Sequence, residues 1–154
     1  MKNYLEQNIY RKFHNYMPIL CVDIVLKTVD EKFLMVKRKK EPARGKWWFV
    51  GGRVYKNEKL AQAIRRKTME EIGLSIDEVE KIVPGYEIMF NEDPFRHGNG
   101  THNNVTCFLS YINNIDEIKL DNYHYEYELF KYYKNDWHYY LKECLSIAGF
   151  KSDS

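Results

Sequence analysis

This sequence is poor in the features that build cross-linked or membrane-spanning proteins. Three cysteines, Cys21, Cys107 and Cys144, stand far apart among 154 residues. They are too few for a disulfide framework, and their spacing fits no zinc pattern. Cys21 and Cys107 lie in apolar strand-like runs and read as small buried hydrophobes, which fits a reducing compartment. No apolar run reaches the roughly 20 residues of a membrane helix. The segment MKNYLEQNIY carries no signal-type hydrophobic stretch. A cytoplasmic protein without membrane partners is the expectation. Formal net charge is only +2, which gives no strong field toward nucleic acid. The one dense basic run, Lys37-Arg38-Lys39-Lys40, is short and reads as a solvated loop. Repeats, low-complexity segments and linkers are missing as well. One domain over 1-154 follows, with chain enough for a real core.

What is present is ordered by apolar periodicity. Leu5, Ile9, Phe13 and Tyr16 fall at helical spacing, so an amphipathic N-terminal helix over 1-16 is expected, stopped by Pro18. Ile19–Val29 is a near-continuous apolar run, rich in Val and Ile, and reads as a central strand. Asp23 is its odd member, since a buried carboxylate needs a partner or a task. Asp30-Glu31 turns the chain into a hairpin strand at Phe33–Val36. A polar loop, Lys37–Lys46, leads to an aromatic strand, Trp47–Val50. Further strands are expected at Ile82–Phe90, Val105–Ile112 and Glu126–Tyr133. Asn91–Asn104, dense in turn formers, reads as a mobile exposed loop. A C-terminal helix spans 136-148. Thirteen tyrosines, several within Tyr123–Tyr140, could line a pocket or interface, or reflect a compositional habit. The order of elements gives an α+β fold or α/β/α layers.

The stretch 51-74 (GGRVYKNEKLAQAIRRKTMEEIGL) organises the rest. Asn57 is a candidate helix N-cap, with Glu58 in the first turn. Leu60, Ile64, Thr68 and Ile72 repeat at every fourth residue, and Gly73 ends the helix. Positions 67, 70 and 71 then share one face. Adjacent carboxylates Glu70 and Glu71 on a rigid helix can hold a hard divalent ion, magnesium or manganese. The glycines allow close backbone approach to that ion or its anionic ligand, and Arg53 and Arg66 suit diphosphate oxygens. A solvated Glu-Glu pair with Lys67 as ion-pair partner accounts for the same spacing.

Gly52, Glu58, Arg66, Glu70, Glu71, Gly73 and Leu74 match the Nudix box, G-x5-E-x7-R-E-U-x-E-E-x-G-U, with U apolar. The chain therefore resembles the Nudix hydrolase superfamily. Two positions depart: Lys67 replaces a glutamate of the box, and Thr68 an apolar residue. The form RKTMEEIG is similar to the GDP-mannose mannosyl hydrolase branch, which also lacks that glutamate. Asp23, Arg38, the Pro42–Gly45 loop, Trp47, Gly51-Gly52-Arg53, Thr101-His102 and His124 extend the likeness.

The resemblance implies a Nudix fold, an α/β/α sandwich with a mixed central sheet and the Nudix loop–helix–loop. It implies magnesium- or manganese-dependent hydrolysis of a nucleotide sugar by water attack at the anomeric carbon, in a homodimer. Catalytic roles fall to His124, Asp23 and Arg38. Substrate binding falls to Arg38, Arg53, Arg66 and Asp23, and metal binding to Glu71, Glu70 and the Gly51 carbonyl. Tyr123 stands where the branch has a metal-binding glutamine, and Asn103 where it has a tyrosine. Phosphorus–oxygen cleavage, as in other Nudix hydrolases, and binding without turnover remain open beside this reading.

Overall fold

The computed structural model describes residues 5–153. Helix α1 spans Gln7–Tyr16, so the first residues of the expected 1-16 helix lie outside the described residues. Strands β1 (Ile19–Thr28) and β2 (Phe33–Arg38) follow, then β3 (Trp47–Trp48) and β4 (Val50–Arg53). Helix α2 covers Leu60–Ile72. Strands β5 (Glu80–Phe90) and β6 (Thr101–Ile112), a 3-10 turn at Ile115–Glu117 and β7 (His124–Phe130) come next. The chain ends with β8 (Tyr132–Tyr133), α3 (Tyr139–Ile147) and β9 (Lys151–Ser152).

The main sheet is mixed, in the order β3-β2-β1-β6-β5. Strand β1 runs parallel to β6, while β1–β4, β2–β7 and β5–β6 pair antiparallel. Because side chains alternate along a strand, β1 feeds two cores. Val22, Ile24 and Leu26 join Ala63, Ile64 and Ile72 of α2 in one. Cys21 and Val25 join Tyr140, Leu141, Cys144 and Leu145 of α3 in the other. The expected α/β/α layering is present, and its parity turns Asp23 toward α3.

The single expected strand Trp47–Val50 is two. Trp47 and Trp48 pair with β2, whereas Val50 to Arg53 pair with β1. The chain changes neighbours at Phe49, and β1 meets β2 directly only at Lys27 and Phe33. This crossing lays Gly51 against Asp23.

Other elements depart from expectation for local reasons. Asn57 is not the cap of α2: it takes a left-handed conformation, φ 67°, in the turn before it. Lys59 is the capping residue, and its N–H is taken by Gln62 Oε1 at 2.8 Å. Gly73 closes the helix as expected, at φ 71°. Helix α3 starts only after His138, whose ring accepts the Tyr140 N–H, rather than at Asp136. The α1 stripe of Ile9, Phe13 and Tyr16 faces solvent, and the buried side chain is His14. His14 and Tyr10 pack edge-on against Phe95, which fixes the helix by a different face.

The long loop is shorter and more structured than its composition implies. Strand β6 begins at Thr101, so only 91–100 is left as connection. There the buried Asp93 carboxylate accepts the N–H groups of Phe95, His97 and Gly98. His14 and His97 touch through ring nitrogens at 2.8 Å, tying that loop to α1.

Candidate active site

One cavity, about 450 Å³ in volume, opens where β1, β4 and the end of α2 meet. Its size is that of an ordinary small-molecule site. Asp23, Arg38, Gly51, Arg53, Arg66, Glu70, Glu71 and His124 all line it. The structure thus brings together every residue that the resemblance gave a catalytic, substrate-binding or metal role.

Two glycines make the floor for different reasons. Neither has a positive φ, so both serve close approach. A side chain at Gly51 would overlap the Asp23 carboxylate and the Val22 carbonyl. A Cβ at Gly52 would lie 2.5 Å from Lys67 Cε.

Glu71 enters from the last turn of α2 and is 5% exposed. Its Oε1 accepts the Gly51 N–H at 2.7 Å, and its Oε2 lies 3.4 Å from His124 Nε2. Burial pushes its pKa up, and the Lys67 and His124 charges oppose that rise. Glu70, one residue earlier, is about half exposed at the cavity mouth and binds Arg66 and Lys67.

His124 is 4% exposed and is the first residue of β7. Asp121, which sequence reasoning did not single out, accepts its Nδ1–H at 2.8 Å. Burial would raise the Asp121 pKa, but the His124 bond and charge hold it below the usual carboxylate range. An ionised Asp121 therefore orients the imidazole through Nδ1, with Nε2 toward Glu71. Asp121 also accepts the Tyr123 N–H at 3.0 Å. The segment is fastened to α2 itself: Lys119 N donates to Ile72 O, and Asp121 N to Glu71 O. Those carbonyls are free because they end the helix. An Asp three residues before a His in a short turn was the signal available for this pair.

Glu71, Asp121 and His124 each present a donor atom, all within 4.8 Å of one another. Two carboxylates and an imidazole suit a divalent ion such as manganese, and carboxylate oxygens suit magnesium. The donor set fits such an ion with Glu71 at its centre. Tyr123 does not join it: its side chain is 54% exposed, under Lys40 Nζ at 4.3 Å.

Asp23 is 6% exposed. Its Oδ2 accepts the Tyr140 hydroxyl at 2.8 Å, a partner 117 residues away in sequence. Burial pushes its pKa up to about 7, against the Tyr140 bond and with help from the Glu71 charge. Asp23 makes no ion pair with Arg38, whose Nε donates to the Pro42 carbonyl at 2.8 Å.

The arginines divide their labour. Arg66 forks onto Glu58 at 2.7 and 2.9 Å, reaches the Arg53 carbonyl and packs on Tyr55. Burial works against its charge, and the Glu58 and Glu70 bonds outweigh burial. It braces the turn before α2. The Arg53 guanidinium lies between Tyr10 and Tyr55, 4.2 and 4.7 Å from their rings. Thr68, at the apolar position of the box, is buried and returns its hydroxyl to Ile64 O at 2.7 Å.

The family model described as NUDIX domain matches residues 17–141. The low-salt glycan biosynthesis protein Agl8 of Haloferax volcanii is 28% identical over 129 residues, covering 84% of this chain and 81% of that protein. The ADP-ribose pyrophosphatase of Methanocaldococcus jannaschii is 31% identical over 97 residues, which span 62% of this chain and 56% of that protein. Among solved structures, a MutT NUDIX hydrolase from Burkholderia pseudomallei superposes with a TM-score of 0.67 at 19% identity. That likeness covers 84% of this chain and 97% of the other, and it bears on the fold alone.

Proposed function

The chain belongs to the Nudix domain family, and from that premise we propose that it hydrolyses a nucleotide sugar at the anomeric carbon. The substrate is a GDP-sugar of the GDP-mannose type, and the products are the nucleoside diphosphate and free sugar. One observation carries the reading: a buried imidazole, pinned through Nδ1 by Asp121, in a cavity with cationic walls.

In this reading Arg38 and Arg53 bind the diphosphate, and Arg66 keeps the turn before α2 in place. His124 Nε2 takes a proton from the attacking water. The water oxygen bonds to the anomeric carbon, and the bond from that carbon to the phosphate oxygen breaks. The electron pair leaves with the diphosphate, so a single displacement inverts the sugar. Asp23 binds a sugar hydroxyl or assists the departing group. Glu71, with the Gly51 carbonyl and Glu70 or Asp121 as further donors, would hold a magnesium or manganese ion, which would supply positive charge toward the diphosphate.

Agl8 is named for glycan biosynthesis, in keeping with a sugar-nucleotide substrate. The likeness to an ADP-ribose pyrophosphatase favours a second reading, cleavage at phosphorus. Hydrolysis of GDP-mannose in oxygen-18 water separates the two. Label in the free sugar is the expected result, and label in a phosphate product overturns it. A homodimer through the exposed apolar stripe of α1 belongs to the same reading. Sedimentation as a monomer would remove it.

A further inference from the structure

Lys67 is the departure from the family pattern that changes the charge of the box, and its surroundings are specific. The stem crosses Gly52, whose missing side chain leaves the groove it lies in: a Cβ there would be 3.0 Å from Cδ and 3.1 Å from Nζ. Gly52 therefore makes room for this lysine. The side chain is only 19% exposed, yet it lines the cavity beside Gly51, Arg53 and Glu71. Burying a flexible, strongly hydrated ammonium at a cavity wall is costly unless it meets a counter-charge.

Its counter-charge in the protein is incomplete. Among the described residues the carboxylate within ion-pair reach is Glu70, at 3.3 Å. Glu70 is half exposed and shared with the Arg66 Nη1, at 3.2 Å. An ammonium carries three donors, and the bond to Glu70 Oε2 occupies one of them. Glu71, the other acid nearby, has its Oε1 on Gly51 N and its Oε2 near His124. The guanidinium of Arg53, on the same wall, has no hydrogen-bond acceptor among the described residues and is held only between tyrosine rings. Two cations with donors to spare, converging over a floor of two glycines, form a receptor for an anion with several oxygens.

We propose that Lys67 Nζ binds a phosphate oxygen of the substrate's diphosphate, as a fixed cation standing where the Nudix box has a carboxylate. The assignment rests on the reading of this cavity as a diphosphate site, and it adds the residue that sets the charge of that site. The ammonium meets the negative charge that grows on the departing diphosphate. A box glutamate at this position would repel the same group.

Calorimetry with inorganic pyrophosphate in EDTA tests the assignment on the whole chain, without metal or turnover. Lys67→Met is expected to weaken binding by about 10-fold or more, the scale of one charge-assisted hydrogen bond. Lys67→Arg is expected to retain most of the affinity, because charge and donors remain. In the double variant Lys67→Met/Glu70→Gln the loss is expected to persist; restored affinity would mean that the lysine only neutralised Glu70, and would overturn the proposal. Equal affinity for wild type and Lys67→Met would overturn it directly. If Lys67→Met does not fold, Gly52→Ala decides: it keeps the charge but displaces the stem, so weaker binding supports the proposal and unchanged binding overturns it. Pyrophosphate binding that depends on Lys67, in a protein that hydrolyses no nucleotide sugar, would leave this assignment standing and remove the reaction proposed above.

Discussion

Glu71 and Asp23 are buried to almost the same depth, and they are kept there by opposite means. Glu71 sits among charges: Lys67 on its own helix, His124 and Asp121 on the segment clamped to that helix, and a backbone N–H from Gly51. Asp23 faces α3 and meets a neutral donor, the Tyr140 hydroxyl. Both carboxyls are pushed upward by burial, against the Lys67 and His124 charges at Glu71 and against the Tyr140 bond at Asp23. A carboxylate ringed by titratable groups is equipped to exchange ions and protons. One held by a phenol is equipped to stay near neutrality and to offer or accept a hydrogen bond.

The contrast can be broken in order of expected effect. His124→Gln should lower turnover by about 100-fold or more, the scale of losing a general base; an unchanged rate removes His124 from the chemistry. Glu71→Gln keeps an acceptor for the Gly51 N–H but removes the charge. Manganese binding followed by calorimetry should fall by at least about 100-fold, beyond the range for outer-shell groups. Asp121→Asn should act through His124, lowering kcat by about 10-fold or more with little change in KM. Nitrogen-15 spectra of the imidazole should then show a mixture of tautomers, and a single retained tautomer would deny Asp121 its orienting part.

The Asp23 side of the contrast is sharpened by pH. Its pKa rises from 3.8 to about 7 on folding. Between those values the native state holds a proton that the unfolded chain has lost. This contribution to stability is complete below about pH 4 and is lost as pH rises through about 7. Asp23→Asn cannot ionise, so its melting temperature should exceed that of wild type at pH 8, with the gap narrowing as pH falls and closing only by about pH 4. A constant gap would mean that Asp23 has a counter-charge after all.

Much of this arrangement was legible because it is local. The α2 stripe, its glycine stop and the oddity of Asp23 all lie within short windows, where side-chain periodicity speaks directly. Strand parity even gives the face on which Asp23 falls, though not the residue waiting there, since Tyr140 is joined to it only by the packing of α3. The break at Phe49 was hidden because neither Gly nor Pro marks it; it arises when β1 and β2 splay and leave a partner free. Asn57 was misplaced as a cap because cap chemistry and left-handed turn chemistry favour the same residue. The apolar spacing in α1 is real, but the helix is anchored by Tyr10 and His14 instead.

The two backbone bonds that tie Lys119 and Asp121 to the end of α2 have a consequence for how the site opens and closes. They make the glutamate and the histidine parts of one cooperative unit. Fraying of the last turn of α2 would release the segment 119–124 in the same event, so the site is either whole or gone. Amide exchange at Lys119 and Asp121 should therefore slow and quicken together with that of the last turn of the helix.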